Sequence, residues 1–315
     1  MESKLAPIVL FVYNRPWHTA RTLQALMQNE LAAQSHLFIY SDDAKEGASA
    51  VQLKSINEVR QIIRSKNWCK QVTIIEAFKN KGLADSIVEG VTNIVNEFGK
   101  LIVLEDDIVV SKGFLKYMND ALNLYENKSD VMGVSAFMFP IKDGGLPDTF
   151  FYNANSCWGW GTWRRAWSNY NNNPLDLYTK LIDKKVDWQK FNAYQGNEFK
   201  EQLLANIEKT LNTWAVKWHS SIYLNDGKVL HPKKSLIKNI GMDGSGENCG
   251  LTDQFKNMDT IDFIQVEKHD RLNEDEIVKD ELKEYFLNCS TTNVPQHPVK
   301  NSLLKKMLLK IASKL

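Results

Sequence analysis

Cysteine is scarce in this 315-residue chain and forms no pattern: Cys69, Cys157, Cys249 and Cys289 stand far apart, with no Cys-x-x-Cys and no Cys/His spacing. That excludes a zinc site of the usual spacing and a disulfide framework, and it fits a reducing compartment. Neither sign of charge is in surplus. The 39 Lys and Arg against 38 Asp and Glu leave a net charge of +1, so nothing calls for DNA or RNA as a partner. Long apolar runs are missing too: Ala6 to Val12 is too short to span a bilayer and ends at Tyr13-Asn14-Arg15-Pro16 without a small-residue cleavage site. It reads as a first strand and not as a signal peptide. Two Asn-x-Ser sequons, at Asn127 and Asn288, have no other sign of secretion to support them. Internal repeats are absent. What is present is apolar material, 43% of the residues, enough to bury a substantial core in one large domain or two smaller ones.

The first third alternates short β-branched runs with longer stretches of helical period, which is the pattern of a parallel sheet covered by helices. Strands are expected at Ile8–Tyr13, Leu37–Ser41, Val72–Glu76 and Leu101–Glu105, with helices near 17–29, 51–65 and 83–98. In such sheets ligands collect at the carboxyl ends of the strands. There the sequence places Asn14-Arg15, Asp42-Asp43, Asn80-Lys81-Gly82 and Asp106-Asp107. A helix at about 113–125 and a strand at 131–137 follow, and then Trp158, Trp160, Trp163 and Trp167 crowd together. Residues 176–211 read as mostly polar helix and 214–223 as apolar helix. A further strand leads to the glycine-rich loop 240–250, whose glycines impose few backbone limits and suit a mobile segment.

The run Leu101-Ile-Val-Leu-Glu-Asp-Asp-Ile-Val-Val110 puts three carboxylates, Glu105, Asp106 and Asp107, at the end of a buried strand. Uncompensated charge is costly there, so something positive should accompany it. An isolated Asp-Asp pair is more often a solvated loop, but the apolar strand before it and the three other polar clusters favour a ligand site. A diphosphate donor fits that demand. A Mg²⁺ or Mn²⁺ ion takes oxygens from one or two carboxylates and from both phosphates, and steadies charge on a departing nucleotide diphosphate. Strand alternation would point Glu105 and Asp107 one way and Asp106 the other, dividing their roles.

With these motifs the chain resembles the A-type glycosyltransferases, most closely those grouped with N-acetylglucosaminyltransferase I and bacterial family-2-like transferases of surface polysaccharide assembly. The likeness runs through most of residues 6–250. It is carried by Pro7-Ile-Val-Leu-Phe-Val-Tyr-Asn-Arg-Pro16, Tyr40-Ser-Asp-Asp43, Val103-Leu-Glu-Asp-Asp-Ile108 and Val134-Ser-Ala136. The resemblance implies a Rossmann-like nucleotide-diphospho-sugar transferase fold, α/β with a mixed central sheet flanked by helices. It implies a UDP-sugar donor and a glycan or lipid-linked acceptor. Arg15 would contact the base, Asp42 or Asp43 the base or ribose, Asp106 the ribose side with Glu105 beside it, and Asp107 the metal. Lys81 would neutralise phosphate, unless it is an ordinary turn lysine. Cys157-Trp-Gly-Trp-Gly-Thr-Trp-Arg164 resembles the segment lining the donor sugar, with Trp158 and Trp160 as the sugar-contacting pair; ordinary core is the competing reading for each tryptophan.

One departure bears on mechanism. Inverting relatives carry an aspartate after a tryptophan to deprotonate the acceptor, whereas this chain reads Trp214-Ala215. Asp243 and Glu247 in the glycine-rich loop are the substitutes, with Asp187 and Glu198 behind them. The missing aspartate also keeps open a catalytically silent nucleotide- or glycan-binding subunit. A sugar nucleotidyltransferase is a further alternative, but the chain lacks the basic glycine-rich N-terminal loop that grips a triphosphate.

The expected organisation is a catalytic domain over 1–265, with a nucleotide half at 1–110 and an acceptor half at 111–265. An acidic helix and linker follow at 266–298, then a basic amphipathic helix at 299–315. In that last segment apolar residues at 304, 307, 308, 311 and 315 fall opposite lysines at 305, 306 and 310. This suits either a helix lying on an anionic membrane surface or a last helix packed on the domain. The expected location is the cytoplasm, at the inner face of the membrane.

Overall fold

The structure, a computed structural model, describes residues 5–142, 144–196, 198–246, 255 and 258–290. Glu247, Cys249 and the basic segment 299–315 lie outside the described residues. The first third alternates as its periodicity predicts: β1 (Ile8–Val12), α1 (Pro16–Met27), β2 (His36–Ser41), α2 (Ala50–Arg64), β3 (Gln71–Glu76), α3 (Leu83–Phe98) and β4 (Lys100–Glu105). Then come β5 (Ile108–Val110), α4 (Phe114–Leu124), β6 (Val131–Ser135), β7 (Thr149–Tyr152) and β8 (Trp160–Trp163). A helical stretch follows with α5 (Arg164–Trp167), α6 (Pro174–Asp183), α7 (Trp188–Phe191), α8 (Glu198–Ile207) and α9 (Ala215–Leu224). The chain continues through β9 (Lys228–Pro232) and β10 (Ile237–Asn239) to α10 (Glu276–Ser290).

Eight strands form one mixed sheet in the order β3-β2-β1-β4-β8-β6-β9-β7, and β5 pairs with β10 in a separate antiparallel ribbon. The expected α/β architecture with a mixed central sheet is therefore present. The strands β3, β2, β1 and β4 run parallel, and β8 enters antiparallel between β4 and β6. All five residues of β1 are buried because helices cover both faces. Ile8, Leu10 and Val12 join one apolar layer, and Val9 and Phe11 the other. Full burial of each such side chain contributes about 1.5–3 kcal/mol.

The insertion of β8 was not legible in the sequence, where Trp-Gly-Trp-Gly-Thr-Trp reads as a donor-lining segment. Gly161 explains it: a Cβ there would fall 2.9 Å from Met118 Cε and 3.0 Å from the Leu101 carbonyl oxygen. Only glycine lets the strand fit against β4 and under α4.

Among the described residues of the second half two histidines, His219 and His231, are buried. His219 Nε2 lies 2.7 Å from the Phe191 carbonyl, while its Nδ1 accepts from Asn155 N–H at 3.5 Å, a pairing that suits the neutral ring. Burial lowers its pKa to about 4, against the opposing bond to Phe191. Between pH 6.5 and 4 the unfolded chain therefore takes up a proton that the folded chain refuses, so stability falls as pH falls through that window. The expected loss at this site is on the order of 3 kcal/mol. Urea unfolding of the wild type and His219→Gln at pH 7, 5.5 and 4.5 checks it, since the variant must lose less stability on acidification.

Candidate functional site

The order β2-β1-β4 makes the chain leave β1 in opposite directions, and at such a reversal the carboxyl ends of the two central strands leave a crevice. Arg15 follows β1 and the acidic triplet ends β4. Pro16 sits in the first turn of α1, where its missing N–H costs nothing. The residue before a proline is pushed out of helical geometry. Arg15 accordingly occupies the cap position at φ −114°, and its carbonyl accepts from Thr19 N–H at 3.0 Å. Its side chain is thereby free to cross to β4.

There Arg15 Nη2 donates to Asp107 Oδ2 at 2.9 Å and makes a very short contact with Asp106 Oδ1, and Nε donates to Asp106 Oδ2 at 3.3 Å. Strand alternation fails at this point. Glu105 is the last strand residue, and Asp106-Asp107 form a turn before β5, so both aspartates reach the same guanidinium. Thr22 Oγ1 on α1 donates to the Asp106 carbonyl at 2.8 Å and fixes the turn from below. Both aspartates are 5% exposed. Burial raises the Asp106 carboxyl above the usual carboxylate range against the pull of Arg15. Burial, with Asp107 and Asp106 adding to it, raises Glu105 as well. Burial alone would lower Arg15, but the two aspartates outweigh it and hold the guanidinium firmly charged. The positive charge that the buried triplet demands is thus partly supplied by the chain itself.

The glycine-rich loop packs onto this pair. Ile240 N–H donates to the Asp107 carbonyl at 2.9 Å, and Gly241 N–H to Asn239 Oδ1 at 2.7 Å. A Cβ on Gly241 would stand 2.1 Å from Asp107 Oδ2 and 2.9 Å from Arg15 Nη1, so no other residue fits that cradle unchanged. Two residues on, Asp243 Oδ2 lies 3.1 Å from His18 Nε2 of α1. Hydrogen bonds from Ser245, Oγ first, hold the Asp243 carboxyl below its usual range, with His18 contributing. Asp243 is thus a charged carboxylate with a half-exposed side chain. Sequence reasoning missed His18; its signal was its place three residues after Arg15, on the same first turn.

The other expected residues divide. Asp42 is consumed by structure: its carboxylate accepts N–H bonds at 2.9 Å from Asp43, Lys81 and Gly82, and at 3.1 Å from Asn80 Nδ2. It pins the 80–82 loop to β2. Asp42→Ala would strand several of those donors at about 1–3 kcal/mol each, so a loss of about 3 kcal/mol or more is expected in thermal or urea unfolding. Asp43 is partly exposed and pairs with Arg60 at 3.1 Å. Lys81 Nζ pairs with Glu89 at 2.7 Å, a surface pair worth little and easily exchanged.

Trp160, expected against a sugar, is instead core: it is fully buried, stacked on Trp214 at 4.9 Å and packed near Trp167. Trp158 is partly buried, edge-on to Phe137 and Phe255. Asp187 caps α7, and Glu198 opens α8 with its carboxyl raised by burial. Ala215 begins α9 against the Trp160–Trp214 layer.

Among the described residues no three His, Cys, Asp or Glu side chains converge as an ion-binding set. The donor chemistry of the turn nonetheless suits a hard divalent ion. Two buried carboxylates, Asp106 and Asp107, meet one guanidinium, and such ions accept one or two protein carboxylates when substrate phosphates supply further oxygens.

No family model and no curated protein matches the chain. Solved structures similar to it include S. aureus TarS 1-349, at 12% identity over 90% of this chain and 71% of that one, TM-score 0.40. Against the longer TarS structure the chain spans 44% of the other's length. An active-site mutant of LgtC is 9% identical over 92% of this chain and 98% of that one, TM-score 0.37. A UDP-glucose pyrophosphorylase complexed with UDP-glucose is 9% identical over 72% and 90%, TM-score 0.34.

Proposed function

We propose that the chain is an A-type glycosyltransferase that moves a hexose or N-acetylhexosamine from a UDP-sugar to a glycan or lipid-linked oligosaccharide of a surface polysaccharide, with inversion. The observation that carries this reading is the buried Arg15–Asp106–Asp107 cluster, set where the order of the parallel strands reverses and closed over by Gly241. A buried charge cluster facing a crevice is a costly arrangement, which a charged ligand repays. Asp107 would hold a Mn²⁺ or Mg²⁺ ion, with Asp106 and Glu105 beside it. When bound, that ion would neutralise charge on the leaving diphosphate.

With Asp42 committed to its loop, Asp43 is the acid left for the ribose or base, and Arg15 is the cation that meets the nucleotide. Asp243 is the base. It takes the proton of the acceptor hydroxyl as that oxygen bonds to the anomeric carbon, while the sugar–phosphate bond breaks and its electron pair leaves with UDP. Ser245, through N–H and Oγ, holds the Asp243 carboxylate oriented, with His18 Nε2 3.1 Å from its other oxygen.

Two measurements test this. UDP must raise the melting temperature only when Mn²⁺ or Mg²⁺ is present, and the enzyme must release free UDP from donor plus glycan. A metal-dependent shift without UDP release supports the second reading, a silent binding subunit, which Ala215 favours because α9 offers no carboxylate beside Trp214. No shift with any uridine nucleotide contradicts both.

Among the described residues no helix is long and apolar enough to cross a membrane. The basic segment 299–315 is proposed to rest on the inner membrane surface, and its deletion should lower membrane recovery on fractionation; unchanged recovery of a folded protein contradicts that.

A further inference from the structure

Arg15 and a divalent ion would compete for the same oxygen. Asp107 Oδ2 already accepts from Arg15 Nη2 at 2.9 Å, both Asp106 oxygens are taken by the same guanidinium, and Gly241 closes the other side of Asp107. A dication cannot settle on Asp107 beside that guanidinium without facing its repulsion in a site where only 5% of either aspartate meets water. We propose that Arg15 is a resident counter-ion of the acidic turn, released only when nucleotide is present to receive it, so that the divalent ion and the donor bind as a coupled pair and neither binds well alone. The inference rests on the metal assignment to Asp107.

Two observations and one electrostatic requirement support the exchange. The guanidinium is held by side chains of a turn and not by backbone carbonyls, so moving it breaks no secondary structure. Its Nη1 is buried without a hydrogen-bond partner among the described residues, a donor already aimed for an acceptor the chain does not supply there. Release of Arg15 would otherwise leave the carboxylates uncompensated, and a dication arriving with a diphosphate replaces the lost charge. By linkage, whatever factor nucleotide adds to ion affinity, the ion must add to nucleotide affinity. The arrangement also prevents occupation of the site by free metal ions in the absence of donor.

The test titrates Mn²⁺ into the full chain, following free Mn²⁺ by electron paramagnetic resonance, with and without UDP, in the wild type, Arg15→Gln and Asp107→Asn. The wild type should bind Mn²⁺ at least tenfold more tightly with UDP than without. Arg15→Gln, which removes the charge and keeps much of the bulk, should bind Mn²⁺ alone at least tenfold more tightly than the wild type, and Mn²⁺ alone should raise its melting temperature. Asp107→Asn should lose Mn²⁺ binding under every condition. Should Arg15→Gln bind Mn²⁺ alone no better than the wild type, while UDP and Mn²⁺ still bind together in the wild type, the counter-ion role is overturned and the metal assignment stands. If Arg15→Gln is too unstable to titrate, Arg15→Lys, which keeps charge but not the forked reach, must show the same change in smaller measure. Absence of Mn²⁺ binding by the wild type even with UDP overturns the metal assignment itself, and this inference with it.

Discussion

Asp107→Ala is expected to abolish metal-dependent UDP binding, weakening it more than a hundredfold in calorimetric titration, while the protein stays folded. The substitution leaves Arg15 paired with Asp106, which holds two of the three contacts made by the guanidinium, so the turn keeps its compensation. The backbone bond from Ile240 N–H to the carbonyl of residue 107 also survives the change. What disappears is the Asp107 carboxylate oxygen that lies under Gly241. Binding retained within a few fold would remove Asp107 from the site.

Arg15→Ala is expected to have the larger effect on stability, about 3–5 kcal/mol, because it leaves two buried aspartates without their partner. The loss should depend on pH with a definite sign. Burial already raises Asp106 in the wild type, and without Arg15 it rises further in the folded state. The folded variant then binds more protons than the unfolded chain, so its stability falls as pH rises. Urea unfolding at pH 5.5 and pH 8 should show a deficit relative to wild type that is greater at pH 8. A deficit that does not change with pH would place the cost in packing and not in charge.

Much of the fold could be read from the sequence where side-chain period decides the structure. Ile8–Val12, His36–Ser41, Gln71–Glu76 and Lys100–Glu105 are β-branched runs between helical stretches, and all four became strands of the parallel half. The second half was less legible because there the backbone decides. Trp160–Trp163 is a strand only because Gly161 permits close approach to β4 and α4; Trp160 then packs on Trp214 and Trp167, and Trp163 turns to the other layer and donates to the Leu122 carbonyl. Residue type alone does not separate a sugar-facing indole from a core one.

At the site, the cost of leaving buried charge uncompensated made the demand for a cation legible. The sequence could not reveal that Arg15 would meet both aspartates, since strand alternation predicts divergent side chains and the turn at Asp106-Asp107 cancels it. The consumption of Asp42 by backbone N–H groups was hidden for a similar reason: its partners come from the loop at 80–82, which tertiary structure alone brings near.

A crystal structure of the chain with a UDP-sugar and Mn²⁺ tests the central claim most directly. The account predicts diphosphate oxygens and the ion together at Asp107, with Arg15 withdrawn from Asp107 Oδ2 and turned to the nucleotide. Nucleotide bound away from the β1–β4 crevice, with Arg15 still clasping both aspartates, would contradict it.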